Sequence, residues 1–288
     1  MLYLNPKETG NMKHIIIGLV FTILCIGYVS AAEDSLAVSD KINITQNETW
    51  TMSPEAALAL EKTYATDIRC VDQTYRYLMT GDRTAKKEIL DAMYDYNGTV
   101  SAWLNTVDNS TSQSPEATAD RKRSFAAWTE LNQTLEQILS TKDANETVDS
   151  NLISRFEQAS WNHLQTFDSL MNYINEDSLD QNTSQIRLFV ILMDGLIVPD
   201  AYGMTKNSEE KERFSSLMNS FDRKITIFES RFPDVSTKEL KAFKADLVTD
   251  AEKVFSSVDA GKEIPADTTL QLQNLSEKIW LNFSTLSG

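Results

Sequence analysis

From Ser53 onward apolar residues recur every three or four positions, the period of an amphipathic helix and not the alternation of a strand. Ala57, Leu60, Tyr64, Ile68, Val71, Tyr75 and Leu78 make the first stripe. Ile89, Met93, Tyr96, Val100 and Trp103 make the second, and Phe125, Trp128, Leu131, Leu135 and Ile138 the third. The fourth runs from Ile153 through Phe156, Ser160, Leu164, Phe167 and Met171 to Ile174. Later stripes follow Phe214–Phe232, Leu240–Val258 and Leu272–Leu286. Between the fourth and the sixth lies a run from about Asn182 to Val198 that is apolar on every side, which predicts a helix buried on every side. The pattern predicts an all-α protein of about eight helices in antiparallel bundles, joined by short polar links.

Local signals place the boundaries. Ser53-Pro54-Glu55-Ala56 and Ser114-Pro115-Glu116-Ala117 both read as an N-cap, a proline at the first helical position and an acid at the positive helix end. Gly81 and Gly261 are stops, and Ser236 with Glu239 reads as a capping box. Tyr77, Met79, Met93, Tyr96 and Trp103 match Tyr202, Met204, Met218, Phe221 and Phe228 at a constant offset of 125, the trace of a duplication. Two tandem four-helix units are expected, 53–177 and 182–288.

The N-terminus carries a different pattern. Lys13 precedes an apolar run from Ile15 to Val29, which exits through Ser30-Ala31-Ala32 into Glu33 and Asp34. A basic start, an apolar stretch and small residues at the exit make a signal peptide, with cleavage expected after Ala32. As an uncleaved anchor it would keep Lys7 and Lys13 inside and the bulk outside. Either way 33–52 is a polar stalk, membrane contact is confined to residues 14–32, and the rest is extracytoplasmic, secreted or tethered. Nine Asn-x-Ser/Thr sequons fit that compartment: Asn43, Asn47, Asn97, Asn109, Asn132, Asn145, Asn182, Asn274 and Asn282.

Composition narrows the function classes. The formal net charge is −15, and loss of the leader makes the remainder more acidic by one. Such a surface repels phosphate backbones, so no nucleic-acid partner is expected. Cys70 alone remains after cleavage, too few for an internal disulfide. No Glu-x-x-His, His-Glu-x-x-His, Cys-x-x-Cys, Gly-x-Ser-x-Gly or Gly-rich phosphate loop occurs, so neither catalysis, a metal nor a cofactor is expected. His163, beside the fourth stripe, reads as a packed or surface residue.

Four residues could grip a ligand. Arg69 and Arg76 share a face of the first helix, where guanidinium groups suit a carboxylate, although Asp72 can pair with Arg76 across one turn. Asp194, inside the apolar run, needs a partner when buried, and Arg187 lies two turns away on nearly the same face. Gly195 and Pro199 predict a weak or kinked helix there, in a run too short to span a bilayer. A small-molecule ligand, a membrane receptor or an envelope protein are the expected kinds of partner.

Arg76-Tyr77-Leu78-Met79-Thr80-Gly81-Asp82, closing one helix and opening the next, resembles a turn in the extracytoplasmic four-helix-bundle sensor domains of prokaryotic chemotaxis transducers and histidine kinases. The resemblance spans about 53–140, and the Gly those domains carry between the Arg and the Tyr is missing. It implies a sensor-like module. With no second membrane span and no transmitter in these residues, such a module would hand its state to a partner. The alternative is a glycosylated structural protein of the envelope.

Overall fold

Ser53 opens the fold. Its hydroxyl accepts the Ala56 N–H at 3.2 Å, and Pro54 sits where no helical N–H is needed. The computed structural model describes residues 51–108 and 115–287, with eight α-helices among them. They are α1 (Pro54–Thr80), α2 (Arg83–Asp108), α3 (Pro115–Asp143) and α4 (Ser150–Met171), then α5 (Gln181–Thr205), α6 (Ser208–Arg231), α7 (Lys238–Asp259) and α8 (Ala266–Ser287). The architecture is all-α, as the hydrophobic period predicts. The expected leader with its Ala32 cleavage point, almost all of the stalk, and the sequons at Asn43, Asn47 and Asn109 lie outside the described residues. Met52, assigned to the end of the stalk, is buried and donates its N–H to the Tyr173 carbonyl at 2.7 Å.

The α1–α2 turn shows why these residues stop and restart a helix. Gly81 takes φ +68°, which costs a residue without a Cβ little, and returns its N–H to the Tyr77 carbonyl at 2.9 Å. Asp82 then accepts the Thr84 N–H at 2.9 Å. In the first four helices aromatic pairs fill the interior: Tyr96 stacks on Trp128 with ring centroids 3.8 Å apart, Tyr64 on Phe167 at 5.0 Å, and Tyr75 meets Phe156 edge-on at 5.0 Å.

Helix α5 is the centre of the second half, packed against α1, α6, α7 and α8 and buried without a break from Ile186 to Pro199. It corrects two expectations. It runs for 25 residues, past Pro199 to Thr205, so it is long and apolar enough to cross a membrane, yet 78% of its most apolar window is buried in protein. Packing on four sides outweighs the hydrogen bond that Pro199 removes. Gly195 also has a packing role: a Cβ there would stand 2.9 Å from the Met218 methyl and 3.1 Å from Leu247 Cδ2. The glycine lets α6 and α7 close on α5.

Helix α7 corrects a third expectation. Thr237, not Ser236, takes the N-cap position, and its side chain caps nothing, while the Ser236 hydroxyl accepts the Lys238 N–H only at 3.5 Å. The Thr237 hydroxyl donates instead to Glu229 on α6, so the capping box is given up for a tie between helices.

Residues Thr49–Gly288 form one compact unit, and α1 and α5 touch along their lengths. One side chain reaches three carbonyls of the α4–α5 connection. Arg231, at the end of α6, donates to the carbonyls of Glu176, Asp177 (3.0 Å) and Leu179 (2.7 Å), around the 3₁₀ turn Glu176–Ser178. Charged donors on three carbonyls make this a costly residue to lose. Arg231→Ala is expected to lower stability by about 2–3 kcal/mol. Urea unfolding checks this, and a change under about 0.5 kcal/mol, the size of an ordinary surface substitution, would remove the clasp's importance.

Candidate functional site

The contact between α1 and α5 is where charge meets burial. Both helices present ionisable groups to it, and the contacts climb the two helices in the same direction, Glu61 meeting Arg187 and Tyr64 meeting Asp194.

At the lower end Glu61, 1% exposed, lies 3.5 Å from Arg187 Nε. Arg187 also reaches Glu176 at 3.5 Å, and Lys224 of α6 closes on the same Glu176 oxygen. Neither oxygen of Glu61 nor Nη1 of Arg187 has a hydrogen-bond partner among the described residues. Burial pushes the Glu61 carboxyl up to about 7, against the pull of Arg187 and Lys224.

In the middle Asp194, 2% exposed, accepts the Tyr64 hydroxyl at 3.0 Å and pairs with Arg213 of α6. Arg213 also faces Glu210 at 3.6 Å and lies over the Trp161 ring, 5.0 Å from its centroid. Burial alone would lower the Arg213 pKa. Asp194, Tyr64 and Glu210 more than reverse that, so the guanidinium stays charged.

At the upper end Asp72 pairs with Arg76 at 3.4 Å and accepts Gln73 Nε2 at 3.1 Å. Asp200 of α5 faces them, its carboxyl pushed up by burial and then by the Asp72 charge.

Beside the seam, inside the first four helices, Asp67 and His163 are fully buried with Oδ2 and Nε2 3.0 Å apart. The pair is close but badly aligned for a hydrogen bond. Trp128 and Phe167 crowd the imidazole, with Tyr96 edge-on to it. Burial pushes the Asp67 carboxyl up to about 6, with His163 opposing. The packed reading of His163 is the observed one.

The four expected residues are thus placed, but not as expected. Asp194 takes its cation from Arg213 on α6. Arg187, two turns below it, pairs with Glu61 and Glu176, because the α5 face it occupies meets α1 and the connector. Arg69 pairs with Glu88 of α2 at 3.6 Å and stacks over Trp280 of α8 at 5.1 Å, and Arg76 pairs with Asp72 as its spacing suggests. The arginines of α1 already hold carboxylates of this chain. Glu61, Arg213 and Lys224 carry no signal of their own in the sequence, and Tyr64 reads there only as a core residue of the first stripe.

Chemically, the seam can hold protons on carboxyls that burial raises toward neutrality. Cys70 is buried and its thiol is pushed up, so it stays protonated and weakly nucleophilic. Among the described residues no group of three or more His, Cys, Asp or Glu is placed to hold a metal ion. Two shallow open grooves, one along α6 and one between α7 and α8, are lined by none of the seam residues. Comparison with family models, curated proteins and solved structures finds no match for this chain.

Proposed function

We propose that this chain is an exported, non-catalytic helical module of the cell surface that binds a ligand or an envelope partner and registers it through the α1–α5 seam. One observation carries the reading: the chain keeps a row of buried charges where apolar residues would pack. Buried ion pairs seldom add net stability over hydrophobic replacements, and some of these polar atoms stay unpaired. Perturbed, buried ionisable groups gather at functional sites more than elsewhere. A seam balanced in this way shifts when binding adds or removes charge near it.

The leader pattern and the acidic surface support the cellular side of the reading, and the Tyr-Leu-Met-Thr-Gly-Asp turn supports its sensor-like character. The alternative, a structural glycoprotein of the envelope, rests on the sequons.

The test is a thermal-shift screen of the folded chain against amino acids, carboxylic acids and sugars, with native mass spectrometry for a retained molecule. A true ligand at a hundredfold its Kd stabilises by about 2.7 kcal/mol. That shift should vanish in Arg187→Ala, which keeps the Asp194–Arg213 pair. No shift, together with retention of the protein in washed envelope fragments, would favour the structural alternative. Turnover of any substrate would overturn the non-catalytic reading.

A further inference from the structure

The described sequons differ sharply in what surrounds them. Asn132 lies within α3, and Thr134, its hydroxyl partner, is 1% exposed and donates to the Glu130 carbonyl at 2.8 Å. Asn282, within α8, donates its own amide to the Lys278 carbonyl at 3.0 Å. Asn182, in the first turn of α5, donates to Leu286 at 3.0 Å, while the Ser184 hydroxyl is buried. Asn274 is exposed on α8, but Ser276 is buried. Asn97 and Thr99 lie inside α2.

Asn145 lies between helices. Asn145, Glu146 and Thr147 are all exposed, in the link from α3 to α4. Asn145 has φ +57°, and two backbone bonds end α3 there: its N–H to Lys142 at 3.0 Å and the Glu146 N–H to Thr141 at 3.0 Å. This is the left-handed C′ position of a helix stop, which asparagine tolerates. The stop uses the backbone only, so the amide stays available.

We propose that, among the described sequons, Asn145 is the glycan acceptor of the folded chain, and that those held in helices are closed to transfer once the fold has formed. The proposal rests on the export reading for its cellular setting and on loop geometry plus exposure for its chemistry. In the step itself, the Asn145 side-chain nitrogen attacks the anomeric carbon of a lipid-linked glycosyl phosphate. The C–N bond forms as the C–O bond to phosphate breaks, phosphate leaves with the electron pair, and a base of the transferase takes the amide proton. A transferase must seat the acceptor and the hydroxyl two residues on together. A surface link offers both, whereas a packed helix must first unwind.

The test uses the folded full-length chain made without glycans, incubated with an oligosaccharyl transferase and its lipid-linked donor, and read as site occupancy by peptide mass spectrometry. Occupancy at Asn145 should exceed that at Asn132 and Asn282 by at least about tenfold, since helix interiors open rarely. Asn145→Gly, which suits the helix stop, should abolish that glycan without lowering the melting temperature, and Thr147→Ala should abolish it as well. A bare Asn145, or equal occupancy at the helical sites, would overturn the proposal. The fate of the leader in cells judges the export reading separately.

Discussion

Asp194→Ala is expected to cost about 3–5 kcal/mol of folding stability, the usual result of stripping one partner from a buried ion pair. The substitution leaves the Arg213 guanidinium buried beside α5 with Glu210, 3.6 Å away, and the weaker pull of Asp168 to balance it, and strips the Tyr64 hydroxyl of its acceptor. The loss comes from the charge left behind more than from the bond removed. Replacing both partners, Asp194→Leu with Arg213→Met, removes that charge and should recover part of the loss, since Glu210 then gives up its cation. Chemical denaturation of the single and double variants measures the difference. A single variant within about 1 kcal/mol of the parent, the range of a surface pair, would show that water reaches Arg213 freely.

Stability should fall as pH rises from 4.5 to 7, and Glu61 should account for one part of the fall. Its carboxyl sits at 4.5 ordinarily and at about 7 in the fold. Between those values the folded chain holds a proton that the unfolded chain has released, so the slope of stability against pH is negative. The contribution is full below 4.5, shrinks through the window and levels off above 7, by about 3 kcal/mol in all. Asp168 and Asp200, each raised by burial to about 7, act in the same sense, and Asp67, raised to about 6, does so over a lower window. Glu176 acts oppositely: burial would raise it, but Lys224 and Arg187 hold it below its ordinary value, so its contribution is lost on acidification. The decisive quantity is thus the difference between the parent and Glu61→Gln, measured by urea unfolding from pH 4.5 to 8. The variant should show a flatter profile, and parallel profiles would place Glu61 in contact with water.

The helices were readable because each needs only a local period and its stops. Leu60, Tyr64, Ile68 and Tyr75 point inward as their spacing predicts, and Gly81 ends α1 where a left-handed residue is required. The burial of α5 from Ile186 to Pro199 was readable from the uniform apolarity of that run. The partners were not. Glu61 and Asp72 look like a solvated face of α1 until α5 covers them, and that covering lies more than a hundred residues away in sequence. Arg213 sits on a helix whose apolar stripe gives no hint that one of its cations turns inward. The spacing of Glu61, Tyr64, Asp72 and Arg76 along one side of α1 held the signal. It becomes legible only beside a helix with no polar face of its own.

The same seam has a consequence for biosynthesis. A ribosome completes α1 long before it begins α5, so for that interval the surface that α5 will cover stands in water. Glu61, Asp72 and Arg76 are fully hydrated then and carry no desolvation penalty. The ionic groups that burden the finished molecule keep the nascent one from sticking to its neighbours.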